Sequence, residues 1–190
     1  MKAPTFLGYE REDGTVGTRN YVAVIPTVFC VNEVVADIAE GFTLCRPLLH
    51  NSGCGQLKPD LEMVTKTLIG LGLNPNAGAV LLVGLGCEST DLQAVHEGIK
   101  SGGRWVEKLT IHGSGGMTSA VEEGRRIVSQ MERALLKQKR TPHPASKIRL
   151  GVKCGSSDTT SGIAANPAAG KAVDITLDWG GSAVFGETPE

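Results

Sequence analysis

Aromatic residues are scarce in this sequence, at 4% of 190 residues, and neither sign of charge is in surplus, since the formal net charge is −1. Nucleic-acid-binding surfaces need clustered Lys and Arg, and the chain has no such cluster with interleaved aromatic residues. No run of 18 or more apolar residues occurs, and residues 1–11 lack the apolar core of a signal peptide. These absences argue against nucleic acid and membranes as partners and predict a cytoplasmic protein.

Cysteine is also sparse, with five residues, an odd number. Secreted domains that are held together by disulfides carry denser and even sets, so we expect reduced thiols here. Glycine is abundant instead, at 25 residues, and most glycines lie in short clusters between apolar runs. Such clusters mark tight turns between elements and do not form a flexible linker.

Apolar, β-branched segments alternate with amphipathic segments along most of the chain. Strands are predicted at residues 21–28, 44–49, 79–85, 105–111, 148–153 and 182–185. Helices are predicted at about residues 32–40, 59–70, 90–100, 118–139 and 167–177. This alternation indicates right-handed crossovers and a parallel sheet covered on both faces. We therefore predict a three-layer α/β/α fold with a mainly parallel, Rossmann- or flavodoxin-like sheet.

The chain is predicted to have three regions. Residues 1–20 form a lead-in loop or hairpin, and residues 21–140 form the α/β domain. A loop with two prolines at residues 141–146 is a candidate boundary. Residues 141–190 then either continue the same sheet or begin a second catalytic subdomain, which is truncated.

Chemically reactive side chains follow the predicted strands. His50 and Cys54 come after the second strand, Cys87 after the third and Cys154 after the fifth. Ligands of open parallel sheets bind outside the carboxyl ends of the strands, so these four residues are expected at one edge. Imidazole and thiolate are favoured ligands of zinc and iron. The four residues therefore predict a shared metal or redox site.

Other features of the same edge have simpler interpretations. Cys45 lies inside a strand and is expected to be a buried core residue, and Cys30 could simply end the first strand. The glycine-rich residues 113–116 could hold a phosphate or carboxylate at a helix start, or could make a plain turn. Glu88 and Asp158 could be helix caps or solvated charges.

Five ordered motifs span nearly the whole chain. They are Gly8-Tyr-x-Arg-x-Asp-Gly-x-Val-Gly-Thr-Arg-Asn20, His50-Asn-Ser-Gly-Cys-Gly-Gln56, Gly86-Cys-Glu88, Cys154-Gly-Ser-Ser-Asp-x-x-Ser-Gly-x-x-Ala-Asn-Pro167 and Gly186-Glu-Thr-Pro-Glu190. Together they resemble the signatures of the altronate and galactarate dehydratase family, which also includes the large subunit of sulfolactate sulfo-lyase. The resemblance implies a metal-dependent lyase that removes water or sulfite from a hydroxy acid. The implied metal is divalent, with iron first and manganese or an iron–sulfur cluster as alternatives.

The resemblance also implies that this chain is a fragment. The full dehydratases of the family carry a small N-terminal domain, and their catalytic region continues well beyond a Gly-Glu-Thr-Pro-Glu motif. A missing N-terminal domain or a small partner subunit would then complete the enzyme, and we expect a homo-oligomer. The expected ligand is a small hydroxy acid.

Elimination of water from such an acid requires removal of a weakly acidic proton and expulsion of hydroxide, and a metal ion assists both steps. We expect the metal ligands to be His50, Cys54, Cys87 and Cys154. The candidate acid and base are Glu88 and Asp158. The candidate substrate-binding residues are Gln56, Ser161, Asn166, Arg19 and Asn20. The last two precede the first strand, so their loop must fold over to reach a substrate, or else it serves stability.

Three functional classes stay open at this level. The first is a mononuclear-iron sugar-acid dehydratase or the related sulfo-lyase. The second is an iron–sulfur lyase, in which Cys54, Cys87 and Cys154 hold a cluster. The third is a non-catalytic anion-binding or regulatory module, in which the cysteines are core residues.

Overall fold

A computed structural model describes residues 4–155 and 158–186. The chain divides into two compact units, of which the larger is Tyr9–Lys139 and the smaller combines Met1–Gly8 with Arg140–Glu190. No helix in the described part of the chain is long and apolar enough to cross a membrane.

A four-stranded parallel sheet forms the centre of the larger unit. A short antiparallel pairing of β1 (Thr5–Glu10) with β2 (Val16–Gly17) precedes it in the chain. The strands of the sheet are β3 (Tyr21–Pro26), β4 (Cys45–Pro47), β5 (Ala77–Gly84) and β6 (Trp105–Thr110). Their spatial order is β4-β3-β5-β6, and each neighbouring pair is parallel. This arrangement confirms the predicted α/β fold, and it is the flavodoxin-like order.

Helices cover both faces of this sheet. They are α1 (Asn32–Ala39), α2 (Lys58–Gly72), α3 (Leu92–Ser101) and α4 (Met117–Leu135). On β3, Val22 and Val24 join the apolar cluster under α1 and α4, whereas Ala23 and Ile25 join the cluster under α2 and α3. Because both faces of the strand are buried, it is apolar throughout and does not alternate with polar residues.

Local sequence sets where the helices begin and how closely they pack. The side chain of Asp91 accepts a hydrogen bond from the Ala94 N–H at 3.0 Å and caps α3, while Pro59 lies in the first turn of α2. A Cβ atom on Gly124 of α4 would lie 2.4 Å from Cδ1 of Ile38. Glycine therefore allows α1 and α4 to approach each other closely.

The smaller unit contains the end of the described chain. Its elements are β7 (Thr141–Pro144), β8 (Arg149–Val152), α5 (Asn166–Asp178) and β9 (Ser182–Phe185), with one π-helical turn at Ser161–Ala165. The prediction of a loop at residues 141–146 is wrong in part, because residues 141–144 form β7, which pairs antiparallel with residues 5–8 of β1. Pro142 and Pro144 are tolerated because β7 is an edge strand, where a missing N–H breaks no ladder on the open side.

The last two predicted strands do not extend the central sheet. β8 and β9 pair in parallel with each other and form a separate two-stranded sheet. Of the two alternatives predicted for residues 141–190, continuation of the central sheet is therefore wrong for these two strands. The apolar pattern of residues 148–153 and 182–185 predicts strands correctly, but it carries no information on which sheet they join.

One side chain of α4 closes the C-terminal end of α1. Nη1 of Arg125 donates hydrogen bonds of 2.8 Å to the carbonyl oxygens of Asp37 and Glu40, and its guanidinium lies 5.1 Å from the centre of the Phe42 ring. Arg125→Met is expected to lower the free energy of unfolding by about 1 kcal/mol, because these carbonyls lose a charged donor. Urea denaturation followed by circular dichroism measures this change. Arg126→Met, at the exposed neighbouring position, is the control. Equal losses of unfolding free energy in the two variants would show that the hydrogen bonds of Arg125 do not stabilise the end of α1.

Candidate functional site

The strand order creates a crevice between the carboxyl ends of β3 and β5. From β3 the chain crosses to β4 on one side, and it then returns to place β5 on the other side. Loops that leave neighbouring strands in opposite directions separate at such a point, and ligands of open α/β sheets bind there. The residues that follow β3, β4 and β5 therefore form the candidate site.

Residues 50–56, here called the His50 loop, are pinned into this crevice. The Phe29 N–H donates to the Ser52 carbonyl at 2.9 Å, and the Ser89 N–H donates to the Gly53 carbonyl at 3.2 Å. Gly53 has a φ of 106°, and a Cβ atom there would lie 2.3 Å from the carbonyl oxygen of Thr27. Only glycine fits this contact, which brings the loop after β4 against the loops after β3 and β5.

His50 itself is hydrogen-bonded through both ring nitrogens. Its Nε2 lies 2.7 Å from the carbonyl oxygen of Pro26, and its Nδ1 accepts from the Ser52 N–H at 3.1 Å. Nδ2 of Asn32 donates to the His50 carbonyl at 2.9 Å. The side chain predicted as a metal ligand therefore contacts the backbone at the end of β3.

The carboxylate of Glu88 is held in the crevice by hydrogen-bond donors that follow β3 and β5. The Thr27 hydroxyl donates to Oε1 at 2.8 Å, and the Gly86 N–H donates to Oε2 at 2.6 Å. A Cβ atom on Gly84 would lie 2.4 Å from Oε1, so glycine leaves room for the carboxylate. Thr27 is fully buried and links the end of β3 to this carboxylate. Thr27 is not among the site residues predicted from the sequence, although a polar residue directly after a buried apolar strand is a usable signal.

The surroundings of Glu88 favour its charged form. Burial raises the pKa of the carboxyl group, but the N–H groups of Gly86, Glu88 and Leu85 and the Thr27 hydroxyl hold it below its usual value. The group is thus ionised at neutral pH and accepts several hydrogen bonds. This state fits a fixed anion, and it fits neither a proton donor nor a strong base.

The predicted thiols differ in burial. Cys45 is 2% exposed, and burial, followed by the nearby Glu132 carboxylate, raises its pKa to about 12, which confirms a core role. Cys30, Cys54 and Cys87 are exposed on the loops after β3, β4 and β5. The loops of Cys54 and Cys87 meet through the Gly53–Ser89 hydrogen bond.

His112 is a further imidazole near these loops. A Cβ atom on Gly86 would lie 2.8 Å from its Nδ1, so the ring packs directly against the glycine that precedes Cys87. His112 follows β6, and its backbone N–H donates to the Leu85 carbonyl at 3.1 Å. It was not among the predicted ligands, although its position after a strand resembles that of His50.

The residues of the larger unit fit a bound metal only in part. Two exposed thiols on adjoining loops supply soft ligands of the kind that zinc and iron–sulfur centres use. His50, in contrast, would have to release a hydrogen bond to bind one. Across residues 4–155 and 158–186, no three His, Cys, Asp or Glu side chains form a group that could hold a metal ion.

A cavity of about 330 Å³ adjoins the His50 loop. Its lining combines His50, Ser52 and Gln56 of the loop with polar and apolar side chains of α2, among them Asp60 and Met63. Oε1 of Gln56 accepts from the Gly53 N–H at 2.8 Å. The amide oxygen of Gln56 is therefore used within the loop, and its NH₂ group is the part that suits a ligand oxygen.

In the smaller unit, the predicted acid or base Asp158 is hydrogen-bonded to the residues that follow it. Oδ1 of Asp158 accepts from the Thr160 hydroxyl and N–H and from the Ser161 N–H, at 2.6, 2.8 and 3.0 Å. These bonds, with that of the Thr160 hydroxyl largest, lower the pKa of Asp158, and they match the helix cap considered above. Cys154 and Asn166 are exposed. Residues 156–157 and 187–190 of the sequence motifs lie outside the described residues.

Arg19 and Asn20 lie at the opposite edge of the sheet from the crevice. Nδ2 of Asn20 donates to the Leu135 carbonyl at 3.3 Å and to Oε1 of Gln138 at 3.0 Å, so it closes the end of α4. Arg19 is exposed and donates to the Thr18 carbonyl. Arg11 of the same motif is buried and donates to the carbonyls of Pro75 and Arg19. This motif is thus a structural clamp, and the structure does not bring it to the crevice.

Asn20→Ala is therefore expected to affect stability and not ligand binding. Loss of the buried amide leaves the Leu135 carbonyl without this donor, and the free energy of unfolding should fall by about 1 kcal/mol. Urea denaturation measures the loss. Gln56→Ala is the comparison, because it should lower the affinity for the expected hydroxy acid. An equal loss of that affinity in Asn20→Ala would contradict a purely structural role for Asn20.

Comparisons with known proteins identify two family matches. Residues 8–135 match the profile described as D-galactarate dehydratase/altronate hydrolase, second domain, and residues 145–190 match the D-galactarate/altronate dehydratase C-terminal profile. Altronate dehydratase of Bacillus subtilis is 35% identical over 98% of this chain and 39% of its own length. The beta subunit of (2R)-sulfolactate sulfo-lyase of Chromohalobacter salexigens is 37% identical over 100% of this chain and 48% of its own length. Galactarate dehydratase (L-threo-forming) of Escherichia coli is 32% identical over 100% of this chain and 40% of its own length. The chain thus spans less than half the length of these curated relatives.

Proposed function

The chain belongs to the D-galactarate dehydratase and altronate hydrolase family, and from this premise we propose that it forms part of a lyase that removes water from a sugar acid such as altronate or galactarate. The observation that carries the proposal is the position of two sequence motifs. The His50 loop and the Gly86-Cys-Glu88 motif meet at the crevice between β3 and β5, where α/β sheets bind ligands.

We assign roles in the crevice by chemistry. Glu88, held ionised by Thr27 and the backbone, suits a fixed anion that orients its neighbours more than the base that removes the proton next to the substrate carboxylate, because a lowered pKa makes it a weak proton acceptor. The NH₂ group of Gln56 suits a substrate hydroxyl or carboxylate. The roles of Asp158, Ser161 and Asn166 stay predictions.

We further propose that the complete enzyme depends on a divalent metal, with iron first and manganese second. Cys54 and Cys87 would hold it, and the role of Cys154 stays a prediction from the sequence. When bound, the ion would act as a Lewis acid on the departing hydroxyl and on the developing negative charge. An iron–sulfur cluster is the alternative, and acid-labile sulfide in anaerobically purified protein would distinguish it.

The sulfo-lyase reaction is a second candidate. The sulfo-lyase relative matches the whole chain at 37% identity, and it is named as a subunit. We therefore propose that this chain acts together with a further domain or subunit. The substrate is then either a sugar acid or sulfolactate, and both are hydroxy acids.

The test is an elimination assay on altronate, galactarate and sulfolactate with Fe²⁺ under anaerobic conditions. It is performed with this chain alone and with a hybrid in which the chain replaces the matching segment of Bacillus subtilis altronate dehydratase. Activity of the hybrid on one substrate, with loss of activity and of bound iron in Cys87→Ser, is expected. Cys45→Ser is the control for a thiol outside the crevice. A folded hybrid that is inactive on all three acids would contradict the proposal.

A further inference from the structure

We propose that His50 is a positioning residue and not a metal ligand: its neutral imidazole, protonated on Nε2, locks the His50 loop onto the end of β3. The inference deepens the proposed function, because this loop carries Cys54 and Gln56. It differs from the expectation drawn from the sequence, in which His50 was a metal ligand.

The two hydrogen bonds of the ring select one protonation state. A carbonyl oxygen only accepts, so Nε2 must carry a proton to bond the Pro26 carbonyl at 2.7 Å. The Ser52 N–H only donates, so Nδ1 must carry a lone pair to accept from it at 3.1 Å. The other neutral tautomer breaks both bonds. In the imidazolium, Nδ1 also carries a proton, so its N–H would face the Ser52 N–H and that bond would be lost. Only the neutral Nε2–H form satisfies both partners.

These bonds hold the loop at its first residue. Pro26 is the last residue of β3, and Asn32 at the start of α1 donates to the His50 carbonyl. The loop is thereby joined to the β3–α1 connection through both the side chain and the main chain of one residue. The Gly53 N–H, which donates to Gln56 Oε1, closes the loop further along. Cys54 and Gly55 remain as an exposed tip between these two fixed points.

Binding of a metal would require His50 to give up one of these contacts. A metal at Nδ1 would take the lone pair that Ser52 uses, and a metal at Nε2 would displace the proton that bonds Pro26. Ligating histidines commonly donate their second ring N–H to a carbonyl, so Nδ1 is the nitrogen at which the two roles are distinguished. A positioning residue keeps its Ser52 bond when metal is present, whereas a ligand loses it.

The tautomer can be observed directly in ¹⁵N-labelled protein at pH 7.5 through two-bond ¹H–¹⁵N correlations of the imidazole. Two variants assign the signal and test each bond separately. His50→Asn keeps an acceptor near the position of Nδ1, and His50→Gln keeps a donor near the position of Nε2. The Nε2–H tautomer is expected, and exchange of the Ser52 amide proton should be about five- to tenfold faster in His50→Gln than in His50→Asn or the unaltered chain.

A zinc titration of the same samples completes the test. The His50 ring signals and the Ser52 amide protection are expected to stay unchanged by Zn²⁺, whether or not the thiols bind it. An Nδ1–H tautomer, an imidazolium, or a zinc-induced shift of Nδ1 with loss of Ser52 protection would overturn the proposal. None of these spectra depends on elimination activity. Failure of the lyase assay with intact His50 spectra would therefore count against the proposed function alone.

Discussion

Gly53→Ala is expected to destabilise the protein by about 3 kcal/mol and to displace the His50 loop from the crevice. The new Cβ atom would lie 2.3 Å from the Thr27 carbonyl oxygen and 2.7 Å from Cα of Val28, which are both backbone atoms that cannot move aside. The φ of 106° adds backbone strain for any residue with a Cβ. Overpacking and strain each cost on the order of 1–3 kcal/mol. Urea denaturation followed by circular dichroism measures the sum.

Gly55→Ala is the matched control in the same loop. Its φ of 69° is also positive, but no atom lies within 4 Å of the added Cβ. Its free energy of unfolding should therefore fall by only about 1 kcal/mol, which is the backbone strain of a left-handed residue that carries a Cβ atom. Equal losses in the two variants would show that the contact with Thr27 does not hold the loop. The ligand affinity of the hybrid enzyme should fall much more in Gly53→Ala than in Gly55→Ala.

Thr27→Val is expected to cost about 2 kcal/mol of stability, because it removes a buried donor from an ionised carboxylate while conserving side-chain shape. Valine leaves Oε1 of Glu88 without its hydroxyl partner between the ends of β3 and β5. Thr27→Ser keeps the hydroxyl and loses only a methyl group, so it should cost about 1 kcal/mol through packing. Urea denaturation of both variants measures the difference.

A double-mutant cycle isolates the contribution of the hydrogen bond itself. Thr27→Val and Glu88→Ala, each of which removes one partner of the bond, are combined, and the coupling free energy between them should be about 1–2 kcal/mol. A coupling near zero would mean that Thr27 contributes through packing alone. The cycle uses the unfolding free energy, so its outcome is independent of catalysis.

Parts of the candidate site followed from chain order. His50 and Cys54 lie in the loop after β4, and Cys87 and Glu88 lie in the loop after β5, so the chain places all four at the carboxyl edge of a parallel sheet. The motif that contains Arg19 and Asn20 precedes the first strand of that sheet, and the structure keeps it at the opposite edge. Position relative to a strand is thus a local property that the sequence reveals.

The partners of these side chains could not be predicted in the same way. The Thr27–Glu88 and His50–Pro26 contacts join residues 61 and 24 positions apart. Nothing in the composition of either loop specifies the orientation of a ring nitrogen or a carboxylate. Those orientations depend on how closely Gly53 and Gly84 allow the loops to approach.

For the fold, local patterns were sufficient to place most strands and helices, since buried strands are apolar throughout and helices repeat their apolar residues every three to four positions. The family was indicated separately, by the resemblance of the five ordered motifs to its signatures. Packing of distant segments was needed for the order β4-β3-β5-β6, for the separate pairing of β8 with β9, and for the strand β7 in a segment with two prolines. Strand pairing is a contact between residues far apart in the chain, and its free energy comes from surfaces that exist only after both segments have folded.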